Sequence, residues 1–130
     1  MQKKEQSKSY PLHAQASKLS GLIDYQEGSI VSRTIIDKKT GTLTLFAFDE
    51  NQGLSEHTAP YDAMVYVVEG EVQVTIGGKH ICLKQGEVTI MPANQPHALS
   101  ARSIMKAGYT AIPVLRDGFP RYQRHLHQQC

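Results

Sequence analysis

Two histidines next to apolar segments are the residues of this chain best suited to bind a metal ion or a polar ligand. His57 precedes the alternating apolar run that ends at Glu69-Gly70-Glu71, and His97 directly follows Pro96. Imidazole is a common metal ligand and also donates or accepts hydrogen bonds. Neither histidine has another within three positions of it in the sequence. Only the folded chain could bring the two imidazoles together.

The other candidates for chemistry are weaker. His80 alternates with Ile81 in a short predicted strand and is expected to face solvent. His125 and His127 form an H-x-H pair near Cys130, but a metal clip at a chain end would lose ordering entropy on binding. The sequence contains no Gly-x-Ser-x-Gly, no phosphate-binding glycine loop and no Cys-x-x-Cys. The sequence therefore has no motif for serine hydrolase activity, for nucleotide binding or for thiol-redox chemistry.

The residues that must position these histidines follow the pattern of short β-strands. Segments 29–37 and 41–51 are rich in Ile, Val, Thr and Phe, and 71–76 alternates strictly between apolar and polar side chains. Gly77-Gly78 fits a two-residue hairpin turn. Glu69 and Glu71, on either side of another turn, are expected to face solvent. About nine strands without an amphipathic helix predict an all-β sandwich or closed barrel.

The chain length and the distribution of charge indicate how the domain is organised and which partners are excluded. The chain has 130 residues, which suits one domain, and its basic character lies in its two ends while the body is mildly acidic. We expect a polar, loosely ordered leader (1–20), a β-barrel (21–115) and a basic tail (116–130). A folded part without a basic face argues against nucleic-acid binding.

Two further features bear on location. No apolar run approaches the roughly 20 residues that span a membrane, and the leader lacks the apolar core of a signal peptide. The two cysteines, Cys82 and Cys130, have no motif spacing. We therefore expect a cytoplasmic protein with reduced thiols and no membrane partner.

The second half of the chain resembles the second conserved motif of cupins. Gly86, Pro92 and His97 in "GEVTIMPANQPH" fall in register with its glycine, proline and histidine. Asn94 stands where that motif has a second glycine, and Ala101 stands where it has an asparagine. The resemblance implies a double-stranded β-helix, or jelly-roll barrel, with a ligand pocket at one mouth.

The first cupin motif is only partly matched. His57 corresponds to its first histidine and Gly70 to its last glycine. Ala59 replaces the second histidine and Ala63 replaces the glutamate, so two of the four ligands that cupins use for a metal are missing. Two imidazoles alone make an under-coordinated site for a transition metal.

These departures predict a small-molecule pocket with no metal or a weakly bound divalent transition metal held by His57 and His97. Strand alternation turns Asp62 away from the inward row, while Tyr61, Ala63 and Val65 face inward. Tyr109 is expected to close the far side together with Met105. The predicted pocket residues are His57, Ala59, Tyr61, Ala63, Val65, His97 and Met105. The catalytic residues, if there are any, stay unassigned.

Two functions stay open at this point. The first is a binding protein for a small organic ligand, and the second is a metal-dependent dioxygenase or isomerase acting on a small oxygenated metabolite. The family resemblance also implies a homodimer. Met64, Tyr66 and Val68 form an apolar row with outward parity, and such a row needs cover.

Overall fold

The computed structural model describes residues 3–5 and 12–113, and β-strands dominate this part of the chain. The ten strands are β1 (Lys3–Glu5), β2 (Ile30–Lys38), β3 (Gly41–Phe48), β4 (Gly53–His57), β5 (Tyr61–Glu69), β6 (Glu71–Ile76), β7 (Lys79–Lys84), β8 (Val88–Met91), β9 (His97–Ala101) and β10 (Met105–Pro113). One short 3₁₀ helix covers Leu19–Leu22. None of the described helices is both long and apolar enough to cross a bilayer.

The strands form two sheets that face each other as a jelly-roll barrel, which confirms the predicted all-β fold. One sheet has six strands in the order β1-β2-β3-β10-β5-β8, and the other has four in the order β4-β9-β6-β7. Every pairing is antiparallel except that of β1 with β2. The predicted Gly77-Gly78 hairpin joins β6 to β7, and both glycines have positive φ (56° and 83°).

Strand alternation fills the barrel. On β5, Ala63 and Val65 are each 1% exposed and Val67 is 3% exposed, whereas Met64, between two of them, is 37% exposed. These three residues pack in one cluster with valines of β6 and phenylalanines of β3. The inward row predicted for β5 is therefore the wall of the core.

A segment before the barrel covers part of its outer surface. Residues 19–25 lie over β2 and β3, where apolar side chains of both form a second buried cluster. Lys106 donates from Nζ to the carbonyl oxygen of Ser20 at 2.7 Å, and Arg33 donates from Nη1 to that of Leu22 at 2.8 Å. Both cations are almost fully buried, so their pairing with these carbonyls holds the segment in place.

At the other end of this sheet, β1 pairs in parallel with the outer edge of β2. Unpaired backbone groups at a sheet edge favour such an addition. Residues 114–130 lie outside the described part of the chain, and with them the whole basic tail, including His125, His127 and Cys130.

Two expectations from the sequence are wrong. Glu69 and Glu71 are half-buried rather than exposed. Glu69 accepts a hydrogen bond at 2.6 Å from the hydroxyl of Tyr25, which is 44 positions away in the sequence. Its carboxylate also lies 3.9 Å from Lys106 Nζ. Burial, reinforced by Glu69, raises the pKa of Tyr25. Cys82 is buried and disulfide-bonded rather than a reduced thiol.

Candidate functional site

The two histidines singled out from the sequence meet at one end of the barrel. His57 ends β4, His97 begins β9, and the two are direct partners in the antiparallel pairing of these strands. Their ring centroids are 4.3 Å apart with an interplanar angle of 69°. His97 is 2% exposed, while His57 is exposed at the rim. The fold thus brings together imidazoles that are 40 positions apart in the chain.

Hydrogen bonds to the backbone define the tautomer of each ring. The Nδ1 atom of His57 lies 2.9 Å from the carbonyl oxygen of Ser55, and that of His97 lies 3.3 Å from the carbonyl oxygen of Gln95. A carbonyl oxygen only accepts, so each Nδ1 carries the proton and donates it. In the neutral rings both Nε2 atoms then present lone pairs, and these two atoms lie 3.1 Å apart.

Two lone pairs at this separation repel each other unless an electropositive group lies between them. A single shared proton meets this need, and so does a divalent cation or a donor group of a bound molecule. Burial and the nearby charge of His57 lower the pKa of His97, and the Gln95 carbonyl partly offsets this. The pair is therefore a candidate acceptor site at this end of the barrel.

The pair fits a metal ion in geometry but not in number of ligands. With metal–nitrogen bonds of about 2.05 Å, the separation of 3.1 Å between the Nε2 atoms corresponds to an angle at the ion of about 98°, between octahedral and tetrahedral values. The Nδ1–H bonds to carbonyls are also those that orient metal-binding histidines. However, within residues 12–113 no group of three or more His, Cys, Asp or Glu side chains could hold an ion. Tight binding by protein ligands alone is not expected.

The positions of the missing ligands are filled by buried alanines. Ala59 is 7% exposed and Ala63 is 1% exposed. Asp62, between Tyr61 and Ala63, does not replace them, since its carboxylate accepts the backbone N–H of Ala93 at 2.9 Å. This bond joins the start of β5 to the loop that precedes His97.

A second hydrogen bond joins the loop before His97 to the loop between β4 and β5. The backbone N–H of Asn94 donates to the carbonyl oxygen of Ala59 at 2.7 Å. Asn94 has φ of 65°, the left-handed conformation that asparagine tolerates better than most residues. Asparagine therefore keeps the turn for which the cupin motif uses glycine. Through Ala59 and Asn94, the segments that carry the two histidines hold each other in place.

A cavity of about 390 Å³ opens on the inner face of the six-stranded sheet, at the end of the barrel where β5 begins. We call it the mouth cavity. Its lining comes from β2, β3, β5, β10 and the turn between β2 and β3: Ser32, Thr34, Lys38, Lys39, Gly41, Thr42, Thr44, Phe46, Tyr61, Tyr109, Ala111 and Pro113. Burial, with Tyr61 as a close hydrogen-bonding neighbour, raises the pKa of Tyr109, so its phenol stays protonated.

The seven predicted pocket residues occupy different places. Tyr61 lines the mouth cavity, and His57, His97 and Ala59 lie at the same end of the barrel because short loops join β4 to β5 and β8 to β9. Ala63 and Val65 lie deeper in the wall.

Met105 is placed apart from the others. It is fully buried at the start of β10, opposite Phe48, whereas the end of β10 pairs with Tyr61. It packs at the other end of the barrel, so we leave it out of the site.

Sequence reasoning missed the wall contributed by β2 and β3. Ser32 and Thr34 alternate on β2, as Thr42 and Thr44 do on β3, and the pairing of these strands sets Thr34 beside Thr44. The alternation of hydroxyl residues was visible in the sequence. Its direction, into the barrel, was not.

Comparison with known proteins agrees with this architecture. The sequence pattern of the family described as Cupin domain matches residues 44–112, and a search of curated proteins gave no match. Among solved structures, a conserved protein of unknown function from Streptococcus pyogenes is 26% identical, with a TM-score of 0.77 over 85% of this chain and 100% of that one.

A cupin 2 conserved barrel domain protein from Leptotrichia buccalis is 36% identical, with a TM-score of 0.70. The alignment covers 72% of this chain and 46% of that one, so this chain spans about half its length. A cupin superfamily protein from Desulfitobacterium hafniense, 22% identical with a TM-score of 0.74 over 78% of this chain and 93% of that one, shares the fold. The chain therefore belongs to the cupin family, with half of the family's usual metal ligands replaced by alanine.

Proposed function

We propose that this protein binds a small polar molecule at the mouth of its barrel and that the His57–His97 pair contacts the bound molecule. One observation carries the proposal. Two Nε2 atoms, each left with a lone pair by the Nδ1 bond of its own ring, converge to 3.1 Å where no third protein ligand is within the described set. A shared proton or a donor group from outside the protein can complete such a pair, and in this proposal the bound molecule supplies the donor.

The surroundings of the pair support a ligand site. At the same end of the barrel, the mouth cavity has a mixed polar and apolar lining that includes Tyr61 but neither histidine, and its volume lies near the lower end of the range typical of small-molecule pockets. Alanines at positions 59 and 63 remove bulk and charge from the same end of the barrel. A site with room and few convergent polar groups is the general form of a small-molecule site.

The second candidate is a metal-dependent enzyme, such as a dioxygenase or isomerase of a small oxygenated metabolite. It is favoured by the angle of about 98° that the two nitrogens would subtend at an ion. In that case His57 and His97 would hold the ion, a Lewis acid for the substrate, and the substrate itself would supply further ligands. We place this second because the described protein ligands stop at two.

Elemental analysis and ligand mapping distinguish the two. The protein is purified without chelators or added metal, and metal per protomer is measured for wild type, for His57→Ala/His97→Ala and for the matched control His80→Ala, a histidine exposed on β7. In parallel, ¹H–¹⁵N spectra are recorded with a panel of small polar metabolites.

We expect little metal, and ligand-induced shifts around Tyr61 and His97 that vanish in the double variant but persist in His80→Ala. If the wild-type protein contains stoichiometric metal and the double variant does not, the metal-dependent enzyme becomes the favoured function. A panel that shifts no resonance at the mouth, in protein free of metal, would overturn the proposal.

We also propose a homodimer that uses the outer face of β5 and β8. Met64 pairs with Ile90 and Tyr66 with Val88 on this face, and Met64, Val88 and Ile90 are 37–52% exposed. Residues 19–25 cover the outer face of β2 and β3, whereas Met64, Val88 and Ile90 stay exposed. Light scattering is expected to give twice the monomer mass for wild type, a monomer for Ile90→Lys and no change for Ile104→Lys; a monomeric wild type would refute the proposal.

A further inference from the structure

We propose, resting on the proposed function above, that the ligand of the mouth cavity is a small carboxylate that carries several hydroxyl groups. Six hydroxyl side chains line the cavity, its only charged lining residues among those described are two lysines, and aromatic and alanine side chains form an apolar part of the wall. Each of these three features selects for one property of the ligand.

The hydroxyl groups form a dense polar surface on one wall. Ser32 and Thr34 on β2 face the same way as Thr42 and Thr44 on β3, and the Thr34 and Thr44 Oγ1 atoms are 3.4 Å apart. A hydroxyl both donates and accepts, so a row of them matches a ligand whose own hydroxyls do the same. Tyr61 and Tyr109, whose side chains are hydrogen-bonding neighbours, add two further hydroxyl groups.

The charge of the lining selects an anion. Lys38 ends β2 and Lys39 begins the turn to β3, both are exposed where they line the cavity, and no carboxylate is part of its described lining. Asp37, their neighbour in the chain, is exposed and not part of the wall. Flexible ammonium groups at a rim attract an anion and let it enter without desolvating it fully.

The apolar part of the wall and the volume limit the size of the ligand. Phe46 is 8% exposed and meets Tyr109 edge to face with ring centroids 6.0 Å apart, beside Ala111. These surfaces suit the C–H face of a carbon chain rather than a fully hydrated inorganic anion. A volume of about 390 Å³ lies near the lower end of the range of small-molecule pockets, which suits a compact acid of about six carbons.

Three probes of equal chain length separate charge from hydroxylation: D-gluconate, uncharged sorbitol and unhydroxylated hexanoate. Isothermal titration calorimetry on chelator-treated protein is expected to show gluconate binding about tenfold or more tighter than either of the others, because sorbitol lacks the carboxylate that the lysines attract and hexanoate lacks the hydroxyl groups that the polar wall binds. Lys38→Gln/Lys39→Gln should weaken gluconate about tenfold, and the matched control Lys18→Gln/Lys84→Gln, with two exposed lysines elsewhere, should leave it unchanged.

Two hydroxyl variants test the polar wall directly. Thr44→Val and Tyr109→Phe keep shape and remove one hydroxyl each, and both should weaken gluconate while leaving hexanoate unaffected. Equal binding of sorbitol or hexanoate, no binding of gluconate, or an unchanged affinity in Lys38→Gln/Lys39→Gln would each overturn the ligand class. If another compound still shifts resonances at Tyr61 and His97, the proposed function survives that result; if no compound does, both proposals fall.

Discussion

Restoring the two missing ligands should convert this barrel into a metal-binding protein. The change is Ala59→His together with Ala63→Glu, at the two positions where the first cupin motif has its second histidine and its glutamate. The existing pair already provides two nitrogens 3.1 Å apart with their Nδ1–H groups fixed by carbonyls. Two further ligands would complete the four-ligand set that a transition metal prefers.

The size of the effect follows from burial. Ala63 is 1% exposed, so a glutamate there overpacks the core at about 1–3 kcal/mol and buries a carboxyl group at about 1–3 kcal/mol more. The variant without metal should therefore lose about 2–6 kcal/mol of stability and melt at least about 8 °C below wild type, at roughly 4 °C per kcal/mol. A metal at a hundred times its dissociation constant returns about 2.7 kcal/mol, or roughly 10 °C.

Thermal melts with and without Co²⁺ measure the stability lost through the substitutions and the stability regained on metal binding. The ligand-field absorption of Co²⁺ reports its coordination. The same double variant in a His57→Ala background is the control and should gain much less from the ion. The melting temperature of the wild-type protein should rise little when Co²⁺ is added. A folded double variant that binds no more Co²⁺ than wild type would show that the four positions do not converge, and the account of a metal site lost by two substitutions would fail.

Three smaller changes test other parts of the structure. Gly70→Ala would put a Cβ 2.5 Å from Met105 Cβ and against the Ile104 carbonyl, so it should lower the free energy of unfolding, measured in urea, by more than about 3 kcal/mol. Gly86→Ala is the control, because Gly86 has a similar φ (85° against 87°) but open space around it, and it should lower the free energy of unfolding by only about 1–2 kcal/mol. Asn94→Gly should keep the stability of the loop, whereas Asn94→Val should lower it by about 1–2 kcal/mol, because a branched side chain is strained at φ of 65°. His57→Ala should raise the pKa of His97 in an NMR titration, yet leave it below 6.5, because burial is the largest cause of its depression.

Each of these has a contrary result. Equal losses for Gly70→Ala and Gly86→Ala would contradict the close approach of β10 to the turn, and a harmless Asn94→Val would contradict the left-handed turn. The depressed pKa of His97 also means that the unfolded chain takes up its proton first as pH falls below about 6.5, so this residue's contribution to stability is present above that pH and declines below it. A His97 pKa that stayed the same or fell in His57→Ala would refute the mutual influence of the rings.

The fold class and the inward row of β5 could be predicted from the sequence, because strand alternation is a local property and burial follows it. The glycine pair at 77 and 78 is local in the same way, since a two-residue hairpin needs positive φ. The half-buried state of Glu69 could not be predicted, because its partner Tyr25 approaches from 44 positions away. Nor could the orientation of the hydroxyl residues on β2 and β3, which depends on how these strands join the barrel.

The sequence by itself determined which donors the candidate site has: two imidazoles, with alanines at positions 59 and 63. Side-chain chemistry of this kind does not depend on folding. Only the tertiary structure decided that the Nε2 atoms of the two rings lie 3.1 Å apart, since this follows from the β4–β9 pairing and from the backbone carbonyls that hold each Nδ1. The mouth cavity was likewise decided by packing, because β5 and β10 join β2, β3 and their turn in its walls from distant parts of the chain.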